Sequence, residues 1–84
     1  MRMDKKFEIF PNPASRRLLL LPEKVLYQYM KIRISDEQGA IVSESNVDHP
    51  EFVELDIRNL KEGKYLIEVL EKKWIKAGFF EKIN

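Results

Sequence analysis

Apolar and polar residues alternate one by one along much of this chain, and this period of two restricts its fold more than any other feature. The alternation is clearest over 30–35 and 53–58, and 65–69 repeats it with one interruption at Leu66. Successive side chains of a β-strand point to opposite faces of a sheet, so each run predicts a strand with one buried face. The residues that we expect to be mainly buried are Met30, Ile32, Ile34, Val53, Leu55, Ile57, Tyr65, Ile67 and Val69.

Proline ends the first two predicted strands, because it fixes φ and cannot donate a hydrogen bond to a neighbouring strand. Pro11 closes a strand over 6–10, and Pro22 closes a strand over 17–21 that is apolar on both faces. A strand covered by a layer on each side has that composition. Residues 25–29 are ambiguous, since 22–24 could begin a helix, but the alternation from Met30 onward favours a strand.

Glycine marks the turns in the rest of the chain. The sequence Asp36-Glu37-Gln38-Gly39 predicts a tight hairpin, and we expect Gly39 and Gly63 to close turns, at least one of them with positive φ. Gly78 interrupts the last strand and predicts a bulge or bend there. The other predicted elements are a return strand over 40–44, a polar loop over 45–51, a turn over 59–63, a central strand over 64–70, a hairpin tip at 72–73 and a closing strand over 74–83.

Seven short strands with turns about every 8–12 residues predict an all-β domain, either a two-sheet sandwich or a small barrel. A length of 84 residues suits one domain. We expect residues 1–6 to form an N-terminal extension and residues 7–84 a single module. Cysteine is absent, which excludes disulfides, thiolate metal sites and thiol nucleophiles.

The charges are nearly balanced, with 15 basic and 14 acidic residues and a formal net charge of +1. Such a balance creates no long-range field that would attract nucleic acid. Basic doublets beside aromatic residues could form a nucleic-acid platform, but a domain this small needs those aromatic side chains in its core. No apolar run approaches the ~20 residues that cross a bilayer. The N-terminus also lacks the apolar stretch of a signal peptide, so we expect neither membrane insertion nor export of this chain by its own leader.

His49, beside Asp48 and Pro50, is the nearest approach to a catalytic or metal-binding group. It has no second histidine to complete a metal site, and we interpret it as part of a solvated loop. The serines have one histidine to share and lack the glycines of a nucleophile elbow. Carboxylates such as Glu54 and Asp56 alternate with core residues, which places them on a solvent-facing strand surface. The sequence therefore predicts a protein that is not an enzyme and that uses no cofactor and no metal.

Four segments nevertheless form a specific pattern. Phe7-Glu8-Ile9-Phe10-Pro11-Asn12-Pro13-Ala14-Ser15 opens it, a hairpin over 32–42 and a segment over 55–69 follow, and 79–83 ends it. In this order they resemble the C-terminal sorting domain of proteins exported by the type IX (Por) secretion system of Bacteroidetes-type bacteria. The positions that match the family's motifs are Pro11, Asn12, Pro13, Ala14, Asp36, Gly39, Leu55, Asp56, Leu60, Gly63 and Tyr65.

The resemblance implies an immunoglobulin-like sandwich of about seven antiparallel strands that acts as an address label for an attached cargo. In that family the domain is read by protein export machinery at the outer membrane. The implied location is therefore the periplasm, the outer membrane and the cell surface, provided that the cargo brings a signal peptide. The residues of the closing strand that we expect to contact a partner are Phe80, Glu81, Lys82 and Ile83.

A second function stays open at this point. The chain could be a free-standing sandwich that serves as a structural module or binds protein or carbohydrate. Its closing strand would then offer an unpaired edge, through which a second copy could associate by strand addition. Phe79 and Phe80 are adjacent, so we expect one to enter the core and the other to lie on a sheet face, at an edge or against a partner.

Overall fold

The structure, a computed structural model, describes residues 7–22, 29–48, 53–70 and 73–84. The described residues form seven strands, each antiparallel to its neighbours in the sheet. The strands are β1 (Phe7–Phe10), β2 (Arg17–Pro22), β3 (Tyr29–Ser35), β4 (Ile41–Asp48), β5 (Val53–Asp56), β6 (Gly63–Leu70) and β7 (Trp74–Lys82). The number of strands and their antiparallel pairing confirm the all-β prediction.

The strands are arranged in two sheets, with the orders β1-β2-β5 and β4-β3-β6-β7. This confirms a two-sheet sandwich and excludes the barrel alternative. The strand predicted to be central, β6, lies between β3 and β7. Alternation explains the core, because each strand places every second side chain between the sheets. The buried apolar side chains are Phe7, Ala14, Leu18, Leu20, Ile32, Ile34, Val53, Leu55, Ile57, Tyr65, Ile67, Val69 and Phe80.

Burial follows the sequence pattern closely at the predicted positions. The predicted core residues of β3, β5 and β6 are buried, and so is Ile57. Met30 is not tested, because its side chain lies outside the described part of the structure. In β2 the inward Leu18 and Leu20 are fully buried, whereas the outward Leu19 and Leu21 are only half-buried. The expectation of a covering layer on both faces of this strand therefore holds for its inner face alone.

The hairpin between β3 and β4 is built as predicted. Gly39 has a φ of +86°, and its N–H donates to the carbonyl of Asp36 over 3.0 Å. The Asp36 carboxylate accepts hydrogen bonds from the N–H groups of Gln38 at 3.0 Å and Ala40 at 2.9 Å. Gly63 begins β6 with a φ of +149°. A carboxylate that satisfies the backbone of its own turn favours a single loop conformation.

The polar loop predicted over 45–51 is wrong for residues 45–48, which continue β4 and pair with β3 as far as Asp48 opposite Tyr29. Ser43, Ser45 and Val47 are half-buried, while Glu44, Asn46 and Asp48 are exposed. The alternation of a strand is therefore present, but serines occupy two of its inward positions. β4 lies at the edge of its sheet, where small polar residues are tolerated because less of the inner face is covered.

Four sequence predictions fall on residues outside the described part of the structure. They concern the N-terminal extension at 1–6, the helix-or-strand choice at 25–28, the loop over 49–51 with His49, and one residue of the hairpin tip, Lys72. Within the described ranges, no helix has the length and apolar character needed to cross a membrane.

Candidate functional site

The end of β7 is the first part of the candidate site, and its side chains alternate strictly between surface and core. Phe79 is 57% exposed and Ile83, just beyond the strand, is 39% exposed, with the exposed Glu81 between them. Phe80 is 1% exposed, and its ring stacks on that of Tyr65 with a centroid distance of 5.4 Å. The outward stripe, defined here as Phe79, Glu81 and Ile83, is thus apolar, acidic and apolar in turn.

A β-bulge decides which of the two adjacent phenylalanines points outward. Gly78 pairs with Ile67 but Lys76 pairs with Glu68, so Ala77 is an extra residue on β7. One extra residue reverses the inward–outward phase of everything that follows it. The bulge predicted at Gly78 is confirmed, and with it the expectation that one phenylalanine enters the core. The alternation along the sequence could not predict which phenylalanine is buried, because the sequence does not show that Ala77 is an extra residue in the strand.

Two of the side chains predicted to contact a partner lie in the interior. Phe80 belongs to the core, and Lys82 is 3% exposed, with its Nζ donating to the Ile83 carbonyl at 3.1 Å. Neither side chain is available at the surface of this structure, whereas Glu81 and Ile83 are. The residue that sequence reasoning left out of this set is Phe79, whose ring lies 5.1 Å from the Nζ of Lys76.

The Pro-Asn-Pro-Ala segment, residues 11–14, is the second part of the site, because it packs against the end of β7. The carboxamide oxygen of Asn12 accepts a hydrogen bond from the Glu81 N–H at 3.0 Å. The Ala14 N–H donates to the Glu81 carbonyl at 2.9 Å, and the Ile83 N–H donates to the Ala14 carbonyl at 2.8 Å. Ala14 is 2% exposed and forms a parallel bridge with Lys82. The opening motif and the terminal residues of the chain therefore meet in one place.

This contact corrects the expectation of an unpaired edge on the closing strand. On one side the end of β7 pairs with β6, where Gly63 lies opposite Lys82 and Lys64 opposite Glu81. On the other side residues 12–14 occupy the edge. The end of the closing strand, residues 81–83, therefore has a neighbour on each side, and its outward stripe remains exposed.

The remaining motif residues stabilise turns and the core. Asp56 accepts a hydrogen bond from the backbone N–H of Arg58 at 3.1 Å, and its carboxylate pairs with the Arg58 guanidinium at 2.7 Å. These bonds lower the pKa of Asp56 from 3.8 to about 2. The Tyr65 hydroxyl donates to the Lys61 carbonyl at 2.6 Å, which ties β6 to the turn before it. Leu55 is buried and Leu60 packs against the core.

An open groove of about 430 Å³ lies beside this turn, on the outer face of the three-stranded sheet. Its charged lining consists of Arg16, Arg17, Glu54, Asp56 and Arg58. Arg17 pairs with Glu54 at 2.7 Å, as Arg58 does with Asp56. A general acid needs a carboxyl with a raised pKa, whereas the Arg58 side chain lowers the pKa of Asp56 in this groove. The described residues contain no group of three or more potential metal ligands.

Comparison with known families gives a match over residues 8–77 to the secretion system C-terminal sorting domain. The chain belongs to this family. It is a sorting domain of type IX secretion, which directs the secretion of a cargo, and it is not an enzyme. These are the family and the function that the sequence motifs indicated. The matched range ends before Gly78, so the outward stripe lies beyond it.

A solved structure confirms the immunoglobulin-like fold. This sorting domain superposes with a TM-score of 0.71 on a DUF3244 family protein from Bacteroides vulgatus that has an immunoglobulin-like β-sandwich fold. The alignment covers 93% of this chain and 84% of the other, at 22% identity, a level that establishes the fold alone. Among curated proteins, none matches the chain.

Proposed function

We propose that the export machinery at the outer membrane reads this sorting domain through the outward stripe of β7. The family supplies the general role, which is to direct a cargo through type IX secretion. The cargo would bring the signal peptide that delivers the fusion to the periplasm, and recognition would end with the cargo at the cell surface. The observation that carries the proposal is that Phe79 and Ile83 remain exposed at the end of β7, where β6 lies on one side and residues 12–14 lie on the other.

Single exposed apolar side chains are common on proteins, so the position of Phe79 and Ile83 on one stripe matters more than their exposure alone. Large exposed apolar side chains that lie close together often mark a protein interaction site. Phe79 and Ile83 are four residues apart on one face of an extended strand end, with Glu81 between them. A partner that accepts both would bury two apolar anchors, and a few such anchors carry most of the binding energy of a protein interface.

The experiment uses a reporter fused between a signal peptide and this domain in a bacterium with type IX secretion. The double substitution Phe79→Ser and Ile83→Ser should abolish surface delivery of the reporter and leave it in the periplasm. Both side chains are exposed, so the domain should still fold, which circular dichroism of the purified variant would check.

The matched control is Ile41→Ser combined with Val42→Ser. Ile41 is 51% exposed and Val42 is also exposed, but both lie on β4, at the opposite edge of the same sheet. This variant removes a comparable apolar surface and should reach the cell surface like the parent. Normal surface delivery of the β7 variant, or an equal loss of surface delivery in both variants, would show that the export machinery does not recognise the outward stripe.

A further inference from the structure

The end of β7 has the form of a strand-acceptor edge that is already filled by the same chain. The backbone groups that point away from β6 belong to Glu81 and Ile83, and three hydrogen bonds from residues 12–14 satisfy them. Upstream, the Ile9 side chain packs over Gly78, because its Cδ1 lies 2.7 Å from where a Cβ on Gly78 would be. Residues 9–14 therefore follow β7 from its bulge to its end.

The composition of the covering segment makes it a poor template for a further strand. Pro11 and Pro13 have no N–H, so they can offer no donor on their outer side. Asn12 and Pro13 are exposed, and Asn12 reaches Glu81 through its side chain and not through its backbone. Natural sheets often place proline at an edge, because an edge without donors does not recruit another chain.

We propose that residues 12–14 are a cap that prevents a second copy of this chain from pairing with the end of β7. When the cap is displaced, the N–H and carbonyl of Glu81 and the N–H of Ile83 become free. Water then solvates these groups, and in a solution of the pure protein the edge strand that can replace this water belongs to another copy of the chain. The cap thus keeps the domain from associating through its terminal strand.

The test compares the parent chain with the double variant Asn12→Ala and Pro13→Gly. These two side chains are exposed, so the variant loosens the cap without removing any core atom. Residue-resolved amide exchange should show Glu81 and Ile83 exchanging about tenfold faster than in the parent. The amides of Ile67 and Val69 in the central strand should be unchanged. Sedimentation equilibrium should show a self-association constant raised by about tenfold.

Asn46→Ala is the control, since Asn46 is an exposed asparagine on the outer face of β4, away from the cap. It should match the parent in both measurements. Unchanged exchange at Glu81 and Ile83 in the double variant would overturn the proposal, because the cap would then not be holding the edge. Faster exchange with unchanged association would overturn it as well, because the freed edge would not recruit a copy. Both readouts use the isolated chain, so they are independent of the secretion experiment.

Discussion

Phe79 and Phe80 are neighbours in sequence, yet they have opposite roles. Phe80 is fully buried against Tyr65, while Phe79 lies on the outer sheet face near Lys76. The sequence could predict that the two would separate, because adjacent residues of a strand point to opposite faces. It could not predict the direction, because the extra residue at Ala77 sets the phase of the strand end.

Phe80→Ala should lower the free energy of unfolding by about 3–5 kcal/mol, because it removes a buried aromatic ring and leaves a cavity. Phe79→Ala is the matched control and should change it by less than about 0.5 kcal/mol, as is usual for an exposed side chain. Urea denaturation of the two variants and the parent would measure both values. Equal losses would contradict the assignment of Phe80 to the core and Phe79 to the surface.

The Asp56–Arg58 pair predicts a pH dependence of stability. Arg58 lowers the pKa of Asp56 from 3.8 to about 2, so the folded state favours the ionised carboxylate. A depressed pKa contributes stability above the unfolded value and loses that contribution as pH falls through the folded value. Asp56→Asn should therefore be less stable than the parent at pH 7, and the difference should shrink between about pH 4 and pH 2.

Urea midpoints at pH 7, 4, 3 and 2 would follow this difference. Both side chains are more than half exposed, so added salt should reduce the effect at pH 7. A difference between parent and variant that stays constant down to pH 2 would show that loss of the charge is not the cause.

At the scale of elements, the sequence predicted the turns better than it predicted the extent of the edge strand β4. Asp36 and Gly39 predict their hairpin because each satisfies a local backbone requirement. Asp36 accepts hydrogen bonds from N–H groups of the turn, and Gly39 adopts the positive φ that the turn needs. The end of β4 was missed because Ser43 and Ser45 take inward positions that a central strand would fill with apolar residues. Fewer side chains of an edge strand are buried, so the alternation of apolar and polar residues along its sequence is weaker.

Gly39→Val should destabilise the domain by about 1–2 kcal/mol, because a Cβ opposes the left-handed conformation that φ = +86° requires. No other atom lies within 4 Å of the position that this Cβ would take, so the cost comes from the backbone and not from a clash. Gln38→Val at the neighbouring exposed position is the control and should cost less. Thermal melts would compare them, and equal melting temperatures would contradict the hairpin geometry.

At the scale of the whole molecule, the sequence motifs indicated the family and the sandwich but not how the two ends of the domain meet. The contact between Asn12 and Glu81 joins residues 69 positions apart, and no local pattern reports such a pairing. One consequence concerns truncation. Deleting 81–84 would remove the groups that hold residues 12–14, so it would disturb the first part of the chain as well as the last. Point substitutions on the outward stripe separate recognition from folding more cleanly than a truncation can.

The parallel contact between Ala14 and Lys82 also determines how this domain bears tension. Because Ile9 lies beside Gly78 and Ala14 beside Lys82, residues 9–14 and β7 run in the same direction. A polypeptide attached ahead of Phe7 would therefore pull towards one end of β7, and a grip on the last residues would pull towards the other. Such a load shears the three connecting hydrogen bonds together and does not open them in sequence. The domain could thus transmit a pull between a cargo and whatever holds its last strand while both remain attached.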